Sequence, residues 1–181
     1  MPIALLRLKL QSLGALRPEA WERIVQLGQQ HQIEAGKNLV RRLGSLAYVA
    51  EGLLKEYDHH EREEPAIVNF IGQDQCIVTR GHQQQRQLQA CMPCMVYQWD
   101  MAELYQLDQD FTELRSIYEE LCAEYEMKMM LRMRLLEMPV PERIETFKLI
   151  FRPLLPYLKK KDIANYLHLH YTHFLRIWNF S

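Results

Sequence analysis

Cys91-Met92-Pro93-Cys94 is the sharpest chemical signal in the chain, because thiols at this spacing can share a zinc ion or cycle between dithiol and disulfide. A zinc site needs two further ligands, and only Cys76, Cys122 or sequence-distant histidines could supply them. A redox pair opens a helix beside a strand. This pair sits between two β-like runs, so a structural turn is the expected role. Two histidine groups invite metal or pH-switch chemistry as well. His59-His60 lies in the charged run Asp58-His59-His60-Glu61-Arg62-Glu63-Glu64 and reads as a solvated hairpin tip. His168, His170 and His173 lie close to the end of the chain. Met127, Met129, Met130 and Met133 read as packing rather than as ligands. No nucleophile–base arrangement, phosphate-binding glycine loop or paired-carboxylate motif stands out, so no enzymatic activity, metal or cofactor is expected.

The elements that carry these residues divide the chain in two. A net charge of −1 over 181 residues averages two opposite halves. Residues 1–126 hold 12 Lys/Arg against 19 Asp/Glu, a net −7, and residues 127–181 hold 10 against 4, a net +6. All seven glycines lie between Gly14 and Gly81. An acidic, turn-rich front followed by a basic, glycine-free back predicts two unlike modules. With no apolar run near the ~20 residues that span a bilayer, and Arg7 and Lys9 interrupting the apolar N-terminus, no membrane role is expected. Four cysteines are too few for a disulfide scaffold, and a reducing cytoplasm is the expected setting.

Pro18 to about Gln29 reads as a short helix, with Pro18 in the first turn and Trp21, Ile24, Val25 and Leu27 on its apolar side. The polar Gln29-Gln30-His31-Gln32 ends it. From about Ile33 to Asp100, turn signals (Ala35-Gly36, Leu43-Gly44, Glu51-Gly52, Ile71-Gly72, Arg80-Gly81) separate short apolar runs, the pattern of an antiparallel sandwich or barrel. A small helix follows from Met101 to Leu107. Asp110-Phe111-Thr112-Glu113 resembles a capping box, and no Gly or Pro follows until Pro139, which predicts a long helix over 110–138. Leu114, Ile117, Tyr118, Leu121, Tyr125, Met129, Arg132, Met133 and Leu136 recur along it at three- and four-residue steps. A second copy of the helix is the simplest cover for such a stripe, which makes Leu114, Tyr118, Leu121, Tyr125 and Met129 the expected dimer seam. Pro139 and Pro141 break that helix, and Glu142 to Phe151 starts another. Arg152-Pro153-Leu154-Leu155-Pro156 is a linker.

Residues 159–181 then read as two compact helices around a short turn. Ile163, Ala164 and Leu167 form one apolar face, Leu169 plugs the turn, and Phe174 and Ile177 face inward from the second helix. That pattern fits a helix-turn-helix or an ordinary αα-hairpin. Asp162-Ile163-Ala164-Asn165-Tyr166-Leu167, continued by Leu175-Arg176-Ile177, resembles the signature of the Crp/Fnr regulators. Gly44-x-x-x-Tyr48-Val49-x-x-Gly52-Leu53-Leu54-Lys55-x-Tyr57 is similar to their cyclic-nucleotide-binding β-roll. Gly72, Ala90 and the 110–138 helix follow in the family's order, and the resemblance spans about Leu13 to Phe180.

The resemblance implies an α+β fold, with a jelly-roll-like antiparallel β-roll over 1–109, a dimerisation helix over 110–138 and a short helix-turn-helix domain over 139–181. It implies a homodimer that binds DNA. Tyr171, Thr172, His173 and Arg176 take the positions that reach base edges, and Lys159, Lys160 and Lys161 are candidates for phosphate contacts. The family's ligand pocket maps onto Gly72, Gln73, Asp74, Gln84 and Arg86. Here the chain departs from the pattern. Gln73 stands where ligand-binding members carry a Glu, the family's Arg position falls near Gln84, and Arg86 comes about two residues late. Without a bidentate cationic clamp a phosphodiester loses its strongest contact. The expectation is a different small-molecule effector, or none, rather than cyclic AMP. His168 replaces the usual turn glycine, Leu175 replaces a Ser, and no β-wing follows the second helix before Ser181.

Overall fold

Turns, most of them holding a glycine, separate eight strands among the described residues. In the computed structural model, which describes residues 3–59, 64–83 and 85–179, these strands build two four-stranded antiparallel sheets. The strands are β1 Gln29–Ile33, β2 Asn38–Leu39, β3 Leu46–Glu51, β4 Leu53–Asp58, β5 Ala66–Gly72, β6 Gln75–Val78, β7 Gln87–Ala90 and β8 Cys94–Trp99. One sheet has the order β1-β8-β3-β6 and the other β2-β7-β4-β5. The β3–β4 turn requires glycine: Gly52 sits at φ 99°, and a Cβ there would lie 2.6 Å from Cys94 Sγ and from the Pro93 carbonyl oxygen. The polar run 29–32, read from sequence as the end of a helix, is instead most of β1, paired with β8 from Gln29↔Gln98 to Ile33↔Cys94. Along this outer strand half-buried and exposed side chains alternate and only Ile33 is buried, so a polar sequence suffices there.

Helices surround the sheets: α1 Ala4–Leu13, α2 Pro18–Leu27, α3 Met101–Asp110, α4 Leu114–Glu137, α5 Val140–Ile150, α6 Lys160–Tyr166 and α7 Tyr171–Trp178. The capping box falls at a different acid from the one expected. Asp100 and Glu103 cap each other's backbone at the start of α3, while Asp110 is the last residue of α3 and α4 begins only at Leu114. Asp100 and Glu103 have the same three-residue spacing as Asp110 and Glu113, and they follow directly on strand β8.

Leu114, Leu121 and Tyr125, predicted as dimer seam, are buried within the protomer at 9%, 2% and 2% exposure. They belong to the core between the sheets and α1, as does Ile117, and Tyr118 packs partly on it. Met129 is half-buried, and Arg86 Nη1 lies 3.8 Å from its sulfur. The stripe therefore covers the β-roll first. The large apolar side chains that α4 leaves exposed are Met127, Met130 and Met133, at 61%, 52% and 64%.

A second core joins front and back. Leu53, Ile67 and Phe70 of the roll pack with Leu135, Ile144, Phe147, Phe151, Tyr166, Leu167 and Phe174. Phe70 lies 5.1–6.3 Å, centroid to centroid, from Tyr166, Phe151 and Phe147. The two modules share this core rather than standing apart.

Candidate nucleic-acid interface

Helix α6 ends because His168 turns left-handed, at φ 54°. The His168 N–H donates to the Asn165 carbonyl and the Leu169 N–H to the Ala164 carbonyl, at 3.0 and 2.9 Å. This is the Schellman arrangement, with histidine where glycine is usual. The sharp turn sets α7 across α6. Ile163, Ala164 and Leu167 are buried, as is Phe174 of α7, whereas Ile177 is half-buried. Four inward anchors leave the opposite side of α7 free. Tyr171, Thr172, His173 and Arg176 are all exposed, and Thr172, His173 and Arg176 share one face at three- and four-residue steps. Arg176 Nη2 lies 3.5 Å from His173 Nδ1, and His170 Nδ1 lies 2.8 Å from Thr172 Oγ1. Lys159, Lys160 and Lys161 are exposed where α6 begins, and Lys160 Nζ reaches Asn179 Oδ1 at 3.5 Å. An exposed Arg beside hydroxyl and imidazole groups on a helix face can read base edges, and lysines a helix away can meet phosphates.

Two other cations of the tail work inside the fold. Arg132 is buried and its Nε donates to the Tyr166 carbonyl at 2.9 Å. Arg143 donates to the carbonyls of Leu136, Met138 and Leu167 at 2.8–2.9 Å. Both satisfy carbonyls that helix ends leave without partners, where a cation is also favoured by the helix dipole. Net charge alone gave no means of separating these capping arginines from surface ones.

The head is bound to the roll by polar contacts that the sequence reading missed. Asn165 Oδ1 accepts from the Ile67 N–H at 2.7 Å, and Asn165 Nδ2 donates to the Pro65 carbonyl at 3.1 Å. Lys55 Nζ donates to Asp162 Oδ2 at 2.8 Å, with both side chains mostly buried. Burial opposes the charge on Lys55, but hydrogen bonds to Asp162 and Tyr57 outweigh it and hold the lysine pKa above its ordinary value. Separations of about one hundred residues leave no local signal for such pairs.

Two of the expected ligand-pocket residues, Asp74 and Arg86, are engaged with other side chains. Asp74 accepts from the Tyr48 hydroxyl at 3.0 Å. Arg86 lies 3.7 Å from Glu56 and 3.9 Å from Asp58. Gln84 lies outside the described residues, as do His60 and residues 61–63 of the expected hairpin tip. Gly72 and Gln73 line a cavity of about 480 Å³ that Arg86 does not line, and Gly72 packs directly on Leu154 of the linker, where a Cβ would come within 3.1 Å of Leu154 Cδ2. Where the roll faces α4, its interior is filled. Arg41 Nη1 binds Glu56 Oε1 at 2.5 Å, and the Tyr125 hydroxyl donates to both Glu56 oxygens at 2.7 and 2.8 Å. The Arg41 and Glu56 side chains are 3% and 0% exposed. Arg86, the cation nearest the family's phosphate position, thus already faces carboxylates.

Cys91 and Cys94 flank the β7–β8 turn, where Cys94 Sγ lies 3.4 Å from the Leu53 carbonyl and 3.1 Å from that of Met92. Burial pushes the Cys91 thiol up to about 11 and raises Cys94 as well, which keeps both protonated and poorly nucleophilic at neutral pH. Among the described residues no group of three His, Cys, Asp or Glu side chains could hold a metal ion, and no helix is long and apolar enough to cross a membrane.

No sequence-family model and no curated protein matches the chain. Solved structures do. A transcriptional regulator of the Crp/Fnr family from Eubacterium rectale is similar at TM-score 0.71 and 14% identity, over 91% of this chain and 83% of that one. FixK2 from Bradyrhizobium japonicum is similar at TM-score 0.69 and 16% identity, over 84% and 83%. The c-di-GMP responsive global regulator CLP of Xanthomonas campestris is similar at TM-score 0.66 and 15% identity, over 90% of each chain. The chain has the Crp/Fnr-like fold, a β-roll followed by a long helix and a helix-turn-helix.

Proposed function

We propose that this protein is a cytoplasmic Crp/Fnr-type transcription regulator that binds DNA as a homodimer and has no catalytic activity. The observation that carries this reading is the face of α7, where Thr172, His173 and Arg176 stand exposed on a helix anchored from behind by Phe174. Arg176 pairs with a guanine edge, and Lys159 to Lys161 meet the flanking phosphates. The dimer forms through the solvent side of α4, where Met127, Met130 and Met133 lie, rather than through the buried stripe. The roll is the sensing half, and changes in it pass to the head through the α6–β5 contact. Filling of its interior by Arg41, Glu56 and Tyr125 argues against cyclic AMP as effector.

Selection of binding sites from random duplex DNA, followed by gel shifts at fixed salt, tests the reading. Sequence-specific binding that Arg176→Ala weakens by ~1–3 kcal/mol supports it. Binding that is weak, equal at all sequences and set by salt alone favours a second reading, an interaction module with impaired DNA contact. The use of Arg132 and Arg143 as internal caps lends that alternative weight. Micromolar binding of cyclic AMP or cyclic GMP in calorimetry would overturn the effector assignment.

A further inference from the structure

Tyr48 pairs with Cys76 and Leu46 with Trp99 in the first sheet, so these four side chains share one of its faces. Between that face and helices α1, α3 and α4 lies a cavity of about 470 Å³, within the size range of small-molecule sites. Gly72, Gln73, Asp74 and Arg86 do not line it, and neither do Arg41, Glu56 and Tyr125. It is therefore separate from the pocket implied by the family resemblance and from the closed network of the interior. Leu10 of α1 and Ile117 and Leu121 of α4 form buried walls, while Met101 and Tyr105 of α3 border it at 62% and 67% exposure.

The lining offers apolar contact and little else. Trp99 and Tyr48, its buried side chains with an N–H or O–H, already have partners. Trp99 Nε1 donates to the Ile24 carbonyl at 2.8 Å, and the Tyr48 hydroxyl to Asp74 at 3.0 Å. Asp108 and Arg115 are the two charged residues of the lining, and they bind each other through hydrogen bonds of 2.8 and 3.0 Å. Burial pushes the Cys76 thiol up to about 12, which keeps it neutral at physiological pH. Among the described residues, the buried side-chain nitrogens and oxygens without partners belong to Asn69, Asp100 and Arg143, and none of these lines the cavity. A charged or strongly polar ligand would be buried there unpaired, which is costly. Protein interiors are close-packed, and an apolar void left empty weakens a fold.

We infer that this cavity takes one uncharged lipophilic small molecule, admitted beside Met101 and Tyr105. The site goes beyond the regulator reading and does not depend on it, since its occupancy is measured on the chain without DNA. The occupant touches α4 at Ile117 and Leu121, on the helix that also carries the exposed Met127, Met130 and Met133. Filling the site thus bears on how that helix is set against the roll.

Fluorescence titration of the full chain with N-phenyl-1-naphthylamine, an uncharged dye that brightens in apolar surroundings, tests this. The expected result is one site per chain at a Kd of about 1–10 µM. The sulfonated analogue, 8-anilino-1-naphthalenesulfonate, should bind about tenfold more weakly, because its charge finds no partner. Leu104→Trp and Cys76→Leu, which fill the space from α3 and β6, should each weaken the dye about tenfold, with Tm held or raised. Leu131→Trp, in the cavity beside Gly72, should change nothing. No binding up to about 100 µM, or unchanged affinity in a filled variant that keeps its Tm, overturns the assignment. A lowered Tm in both filled variants does the same, because there is then no space to fill. Weakening by Leu131→Trp instead moves the dye to the other cavity, and equal affinity for the sulfonate overturns the uncharged class. Loss of sequence-specific DNA binding alone would sink the regulator reading and leave these titrations unaffected.

Discussion

The roll interior and the roll–head junction both bury an ion pair against a helix, and they do it in opposite ways. In the interior, Arg41, Glu56 and Tyr125 satisfy one another, with Glu56 wholly excluded from solvent. At the junction, Lys55 and Asp162 keep 10% and 16% side-chain exposure beside an aromatic cluster, and a cavity with an unmet amide lies nearby. The first region is closed chemistry, which a ligand could enter only by breaking a satisfied network. The second retains room, charge and an unused donor. Open space and an unmet donor lie near the seam between the two modules rather than in the Arg41–Glu56–Tyr125 network.

The largest effect should come from opening the interior. Glu56→Gln leaves the Arg41 guanidinium buried without its carboxylate, and urea denaturation should report a loss of about 3–5 kcal/mol. A loss below about 1 kcal/mol would mean that water reaches Arg41 and that the interior is not closed. Next comes Lys128 of α4, where burial and then the charge of Lys9 lower the pKa of the ammonium. The folded chain sheds its proton near pH 8, whereas the unfolded lysine keeps its own to about 10.4. Between those values the unfolded state binds more protons, so this residue's contribution to stability rises with pH. Lys128→Gln should therefore exceed the wild type by about 3 kcal/mol at pH 7, and the gap should shrink below about 1 kcal/mol by pH 10. A gap that does not change with pH would place Lys128 in solvent.

At the junction, Asp162→Asn should cost about 2 kcal/mol, less than Glu56→Gln because the pair keeps some contact with water. It should also speed amide exchange at Ile67, which is held by Asn165 three residues along α6. Unchanged exchange there would show that the aromatic cluster alone seats the head. The smallest effect should be a gain. His168→Gly relieves a left-handed histidine and should raise stability by about 0.5–1 kcal/mol, read as an increase in Tm. A fall would mean that the exposed imidazole makes a contact worth more than the strain.

Local patterns carried the head well. Ile163, Ala164, Leu167 and Phe174 were legible as anchors because a seven-residue helix with one apolar side leaves little choice, and His168 was marked as the turn residue by its place in the motif. Within the roll the glycine punctuation located five of the eight described strands, while the polar β1 and β7 and the short β6 were not among the runs it marked. Helix α1 had no reading at all, since its ten residues mix apolar and basic positions. The direction of the α4 stripe was not legible either. Periodicity tells which residues are apolar together, but not whether their cover is the same chain or another. The same limit explains Asn165, Asp162 and Arg143, whose partners lie in other elements and are brought near only by the finished fold.

Asn165 has one more consequence. Strand β5 is the outermost strand of its sheet, and on its open side the Ile67 N–H and the Pro65 carbonyl are met by one side-chain amide, which imitates the backbone of a neighbouring strand. Helix α6 thereby blunts an edge that could otherwise template the addition of foreign strands. A chain ending before Lys159 would uncover that edge together with Phe70, and its fate would be self-assembly into aggregates rather than life as a detached sensor.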